Sequence, residues 1–184
     1  MKTRKYIYWL LALLCYLPAF TQSPVKIQRL EAGEKTCLHE GWFARKASEI
    51  GEDGNRLTGQ PFEATGWMKA KVPGTVLTTL LENKIYPAPE FGLNNQLIPD
   101  IFHVGRAFYT YWFACPFTME ALLPGQHVWL NFRGINYKAE IYLNGKRVNT
   151  VTHEGMFLRQ SYDITSYLKE NGCLLYTSPS PRDA

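Results

Sequence analysis

The sequence predicts an all-β sandwich with one short helix, and three observations carry that expectation. Apolar and polar residues alternate through "HVWLNFRGINYKAEIYLNGKRV" (residues 127–148), the period-two signature of a strand with one buried and one wet face. Short segments of this kind are separated by Gly- and Pro-rich turns. No internal repeat and no strand–helix–strand rhythm interrupts them, so a parallel α/β sheet has no support.

Taken in order, Lys26–Cys37 and Gly41–Lys46 read as short strands around the turn-prone "LHEGW". Residues 48–65 are polar and Gly-rich, which suits a hairpin or surface loop. Trp67, Ala70 and Val72 form a strand that stops at Pro73-Gly74. Thr75 then caps a short helix whose Val76, Leu77, Leu80 and Leu81 share one face, ended by Asn83 and Pro87. Residues 87–105 hold three prolines and two glycines and read as a long ordered loop, an uncommon feature that is often functional. "AFYTYWFACPF" is apolar on both faces and predicts a central strand. "LLPGQ" turns the chain into the alternating stretch. Within that stretch Leu130 and Phe132 face the core while Asn131 and Arg133 face water, and Ala139, Ile141 and Leu143 oppose Lys138, Glu140 and Tyr142. Asn144-Gly145 supplies the two positive-φ residues of a type I′ hairpin. "MFLRQSYDITSYL" gives one more strand and a polar turn.

Composition bounds the function classes. The 184 residues suffice for one domain with tails, and a hydrophobic content of 46% is ample for a core. Most of the formal charge of +4 comes from Lys2, Arg4 and Lys5 at the N-terminus; residues 23–172 hold 16 basic and 15 acidic side chains. That balance makes no field to attract nucleic acid or an anionic membrane, and neither is expected as a partner. The first segment has a basic start and an apolar run from Ile7 to Leu17. Eleven helical residues rise only about 16 Å, too short to cross a bilayer core of roughly 30 Å. Residues 1–22 therefore read as a cleaved secretory signal, with an uncleaved anchor as the alternative, and the location expected is secreted or periplasmic. The histidines His39, His103, His127 and His153 have no metal-ligand spacing, and no metal or cofactor is expected. Cys37 and Cys115 could pair in an oxidising compartment; buried free thiols are the other reading.

The end of the chain reads differently from the rest. "CLLYTSPSPRDA" breaks the alternation after "YLKENG", so residues 173–184 read as an adapter-like, non-native tail, with a Ser/Pro-rich linker as the alternative. On that reading the sandwich, residues 23–172, is incomplete at its C-terminal edge.

"VPGTVLTTLLENKIYP", "FGLNNQLIPD", "FYTYWF", "VWLNFRGINYKAEIYLNGKRV" and "HEGMFLRQSYDITSYL" follow one another in order. Together they resemble the N-terminal sugar-binding domain of glycoside hydrolase family 2, over roughly residues 40–172, with the likeness closest to the exo-β-glucosaminidase and β-mannosidase branch. The resemblance implies a jelly-roll-like, galactose-binding-domain-like β-sandwich. It implies that the opening hairpin is scaffold, with Gly134 before Asn136-Tyr137 permitting a kink. It also implies that the domain walls one side of a sugar pocket whose two catalytic carboxylates lie in a downstream (β/α)₈ barrel. No catalytic residue is then expected in this chain, and Glu140, Glu154 and Asp163 belong to solvated edges and turns.

The expected partner is thus a carbohydrate, met together with the barrel, and the loop 87–105 is the expected wall. Asn94 and Asn95 are its candidate substrate-binding residues, because amides offer both donor and acceptor to sugar hydroxyls. A local capping role for Asn94 is the alternative. "PAPEFGLNN" departs from the family's form, which tends to have Asp where Ala88 stands and an aromatic where Glu90 stands. Trp42, Trp67, Trp112 and Trp129 are stacking candidates by chemistry, but large aromatics in strands are more often core. A stand-alone carbohydrate-binding or interaction module is the competing reading of the whole.

Overall fold

In the computed structural model, residues 27–51 and 53–178 are described. Eleven strands are found among them: β1 (Gln28–Leu30), β2 (Phe43–Lys46), β3 (Met68–Lys69), β4 (Tyr111–Met119), β5 (Trp129–Phe132), β6 (Lys138–Ala139), β7 (Ile141–Leu143), β8 (Lys146–Arg147), β9 (His153–Glu154), β10 (Gln160–Asp163) and β11 (Asn171–Ser178). Seven form one sheet in the order β3-β2-β4-β11-β7-β8, with β1 lying parallel on the last residues of β4. Two antiparallel ribbons, β5–β10 and β6–β9, complete the sandwich.

The main core lies between this sheet and the β5–β10 ribbon. Trp42, Phe113, Cys115, Phe117, Ile141, Leu143 and Leu174 are buried there. Phe132 of β5 meets the Tyr176 ring edge-on at 6.0 Å, and Tyr176 stacks on Phe113 at 5.3 Å. Tyr176 of β11 therefore makes the aromatic contact between layers, backed by Phe113 within its own sheet, each pair worth about 1 kcal/mol beyond area burial. The short helix predicted at residues 75–83 is present as Val76–Glu82. Thr75 Oγ1 accepts the Thr78 N–H at 3.1 Å, and Val76 and Leu80 are buried against the core.

Both central residues of the Asn144-Gly145 turn have positive φ, 51° and 85°, as a type I′ hairpin requires. The wet face expected beyond it is not wet. Ile141, Tyr142 and Leu143 are all buried, because two helices cover the outer side of the sheet. These are α1 (Ala47–Ile50) and α2 (Gly54–Gly59), in the segment expected to be a hairpin or loop. Asp53 caps α2 by accepting the Arg56 N–H at 3.1 Å. Thr58 Oγ1 accepts the Gly145 N–H at 2.8 Å, tying helix to hairpin. Ala47, Trp112, Ala114, Tyr142, Cys173 and Leu175 form the second cluster beneath them. Tyr142 alternates to the outer face as the period predicts; its burial comes from a cover that short polar helices give no periodic sign of.

The C-terminal boundary also needs correction. The domain was expected to stop at residue 172, with 173–184 as a tail. Residues 173–178 instead make up most of β11, which lies between β4 and β7 in the middle of the sheet. Leu174 pairs with Cys115 and Leu143, and Leu175 with Ala114 and Tyr142. Cys173, Leu174 and Leu175 are buried, so "CLLY" is the near-continuous apolar run of a strand covered on both faces rather than a break in alternation. Residues 179–184 lie outside the described residues, as does the 1–22 signal segment.

Smaller expectations shift likewise. The strand Lys26–Cys37 reduces to β1, and the central strand begins at Tyr111 after a 3₁₀ turn over Arg106–Tyr109. Cys37 is exposed while Cys115 and Cys173 are buried, all three as free thiols. Burial raises the Cys115 and Cys173 thiols to about 12. Cys115 belongs to the inner cluster and Cys173 to the outer one, on opposite faces of the sheet. Among the described residues no helix is long and apolar enough to cross a membrane, and no three His, Cys, Asp or Glu side chains gather as a metal site would need.

Candidate functional site

The loop 87–105 follows Tyr86, which packs on the core four residues after the short helix ends, and re-enters the sheet at β4. It is built rather than slack. A 3₁₀ turn spans Asn94–Leu97 and a single helical turn spans Ile101–Val104, capped by Asp100 accepting the Phe102 N–H at 2.8 Å. The Tyr109 hydroxyl donates to the Pro99 carbonyl. Lys46 places its ammonium 3.7 Å from the centroid of the Phe108 ring, pinning the loop's end to β2.

Within this frame Asn94 Nδ2 donates to the Ala88 carbonyl at 3.0 Å, closing the bend that Gly92 permits with φ 55°. That bond is the local capping role, and it leaves the amide oxygen of Asn94 available. Asn95 is exposed beside it, so the structure keeps the two amides adjacent on the loop surface. The loop also presents large apolar side chains to solvent: Phe91, Leu93, Leu97 and Phe102 are 64–71% exposed. Four such residues within twelve positions exceed the scattered apolar exposure of an ordinary surface. Their irregular spacing in "EFGLNNQLIPDIF" gives no periodic signal, so the sequence reading passed over them.

The acidic side chains have other employment. Glu140 accepts the Tyr142 hydroxyl at 2.9 Å and lies 3.3 Å from the Arg147 guanidinium. Glu154 pairs with Lys138 at 3.6 Å. Asp163 accepts the Thr165 backbone N–H at 3.0 Å and hydroxyl at 2.5 Å, and meets His127 Nδ1 at 2.9 Å. Those donors, the Thr165 hydroxyl first, lower its carboxyl to about 2. A general acid needs the opposite shift.

An open groove lies elsewhere. It has a volume of about 750 Å³ and is lined by Arg29, Met119, Leu122, Leu168 and Glu170 among others. Met119 ends β4 whereas the loop 87–105 feeds its beginning, so groove and loop stand roughly 25 Å apart along the strand. Of the four tryptophans among the described residues, Trp42 and Trp112 are core, with their indole N–H groups donated to Leu38 and Gly51 carbonyls. Trp67 packs on the outer cluster beside Phe62 at 5.4 Å. Trp129 alone points out, 57% exposed.

Comparison with known proteins bears on the family and the fold. Residues 42–179 match the glycosyl hydrolase 2 galactose-binding domain-like family. The chain is 48% identical over 141 residues to a mannosylglycoprotein endo-β-mannosidase of Lilium longiflorum, covering 75% of this chain and 14% of that protein. It is 29% identical over 168 residues to an exo-β-D-glucosaminidase of Arthroderma benhamiae, covering 89% of this chain and 18% of that protein. Among solved structures, the exo-chitosanase of Amycolatopsis orientalis superposes with a TM-score of 0.67 at 21% identity, over 82% of this chain and 17% of that one. A β-D-mannosidase of Dictyoglomus thermophilum does so with a TM-score of 0.56 at 26% identity, over 76% and 15%. The chain thus spans less than a fifth of the length of these relatives. The match runs to residue 179 and so takes in β11, the strand that completes the sheet. An all-β sandwich with an ordered, apolar-tipped loop at one end, matched along three quarters of its length, belongs to the glycosyl hydrolase 2 galactose-binding domain-like family.

Proposed function

We propose that this chain is the leading domain of a secreted, retaining, exo-acting β-glycosidase, and that it walls one side of the sugar pocket of a downstream catalytic (β/α)₈ barrel. The family match over residues 42–179 carries this reading. The relatives, each several times longer, are glycosidases by name. On this reading the loop 87–105 faces the barrel. Phe91, Leu93, Leu97 and Phe102 lose water against it, while Asn94 and Asn95 reach the sugar.

Mechanistically, the chain's own residues bind and orient. The Asn94 oxygen accepts a sugar hydroxyl proton while its Nδ2 stays on Ala88, so the bound geometry is set before substrate arrives. Pre-setting an amide in this way spares the ordering cost of a free side chain. Acid catalysis and nucleophilic attack belong to two barrel carboxylates about 5–5.5 Å apart, and this chain alone is inactive. Secretion rests on the basic, apolar segment before residue 22.

A second reading is favoured by the 48% identity to an endo-β-mannosidase: the parent cleaves within a mannose-containing glycan instead of from its end. Product analysis of the full-length parent on a mannosylated oligosaccharide separates the two. Monosaccharide as the first product supports exo action; an intact oligosaccharide fragment supports endo action. In the same parent, Asn94→Ala should raise KM with kcat changed less, by about tenfold for one lost hydrogen bond to substrate. Unchanged KM would remove Asn94 from the pocket.

A further inference from the structure

The β5–β10 ribbon shows one face to the core and the other to water. Leu130, Phe132 and Tyr162 pack inward. Outward, in a single patch, stand Trp129, Asn131, Ser161 and Asp163. The register makes Trp129 the direct partner of Asp163 and Asn131 the direct partner of Ser161. Directly opposed side chains have Cβ atoms roughly 5 Å apart, and alternate positions along a strand lie roughly 7 Å apart.

We propose that this face is a second carbohydrate-binding site, taking a β-linked pyranoside chain whose ring stacks on Trp129. It is separate from the loop 87–105. Trp129 opens β5 next to Val128, whose N–H donates to Thr165 Oγ1, and Thr165 lines the same groove as Met119 at the end of β4, whereas the loop enters at the beginning of β4.

The chemistry of the patch selects this occupant. An indole ring exposed on a sheet that otherwise buries its aromatics offers a flat apolar surface. The C–H-rich face of a β-pyranose whose substituents are mostly equatorial matches such a surface in shape and polarity. Hydroxyls at the sugar's rim then need both donors and acceptors beside the ring. Asp163 supplies acceptors directly across from Trp129 and is already oriented by Thr165 and His127. Asn131, held by the Ser161 hydroxyl donating to its Oδ1 and by its own Nδ2 donating to Trp129 O at 3.4 Å, supplies a second amide N–H one step along. The indole N–H of Trp129 has no acceptor among the described residues, unlike those of Trp42 and Trp112. A peptide partner would more often want an apolar groove or a free strand edge than one ring set among polar groups.

The test is an NMR titration of the full chain with chitosan oligosaccharides and with β-1,4-mannan oligosaccharides, following the tryptophan indole and backbone amides. Saturable, millimolar-range shifts centred on Trp129, Asn131 and Asp163 are expected with at least one of them. Trp129→Ala should weaken binding about tenfold, and Trp129→Phe should restore most of it. Asn94→Ala should leave these shifts unchanged, which keeps this outcome distinct from that of the pocket-wall reading. Absence of shifts, shifts confined to residues 87–105, or equal binding by Trp129→Ala would overturn the proposal. So would complete protection of Trp129 from N-bromosuccinimide in the full-length parent, which would make the face a contact between domains.

Discussion

At the residue scale, a few buried polar groups and close approaches hold the fold in register. Asn149 is buried, and its side chain takes the place of a neighbouring strand. Its Oδ1 accepts the Ile141 N–H at 2.7 Å and its Nδ2 donates to Ala139 O at 2.9 Å. Asn149→Leu keeps the volume but strands two buried backbone groups, so it should cost about 3 kcal/mol in urea unfolding. Gly54 is a second such point. A Cβ there would lie 2.4 Å from Tyr142 Cδ2, and the ring is fixed beneath α2. Gly54→Ala should therefore destabilise by about 1–3 kcal/mol despite the better helix former, and Tyr142→Ala combined with it should cost less than the sum.

Asp163 sets a pH dependence of the same local kind. Its donors hold the folded carboxyl near 2, below the ordinary 3.8. A carboxyl lowered by folding lends stability that is complete above 3.8 and is lost as pH falls towards 2. Asp163→Asn should flatten the stability–pH curve in that window and leave it unchanged near neutrality in shape. A wild-type curve already flat there would show that Thr165 and His127 do not hold the ionised form.

At the scale of elements, β11 is the decisive strand. It is the second partner of β4 along eight residues and the only link from β4 to β7 among the described residues. Ending the chain after Gly172 should remove cooperative unfolding, whereas a chain ending at Ser178 keeps every described strand. Circular dichroism and thermal melts of the two compare them directly. A melt unchanged by loss of 173–178 would mean that these residues do not occupy the sheet.

How much of this was legible follows from the kind of signal each element sends. The hairpin at Asn144-Gly145 and the helix capped by Thr75 were readable because turn chemistry and a 3.6-residue period are local. The α1 and α2 cover was not, since five of the six residues of α2 are polar or glycine and carry little periodicity, and their helicity comes from lying on Tyr142 and Leu175. β11 was misread because a strand buried on both faces does not alternate. At the site, Asn94 and Asn95 stood out by chemistry, while the apolar exposure of Phe91 and Leu93 is visible only once the chain is folded. Trp129 was grouped with Trp42, Trp67 and Trp112 as more often core, and only the structure separates it from the three packed tryptophans.

At the scale of the whole molecule, the chain is a folded scaffold with two differentiated ends. One carries the loop 87–105 with its amides and exposed apolar side chains; the other carries the open groove beside Arg29 and Leu168. Isolated, the apolar loop should favour self-association, so sedimentation should show concentration-dependent species that Phe91→Ser with Leu97→Ser reduces. A strictly monomeric wild type would mean the face needs no cover.

The central claim, that this domain shapes a glycosidase pocket without carrying its chemistry, is tested most directly by a side-by-side assay. The full-length parent and the present chain are given aryl β-mannoside and aryl β-glucosaminide under one set of conditions, with product configuration read by NMR. The account predicts turnover by the parent on one of them, releasing a β-configured product, and none by the chain. Turnover by the chain that vanishes when one of its own carboxylates is replaced, or inversion by the parent, would contradict it.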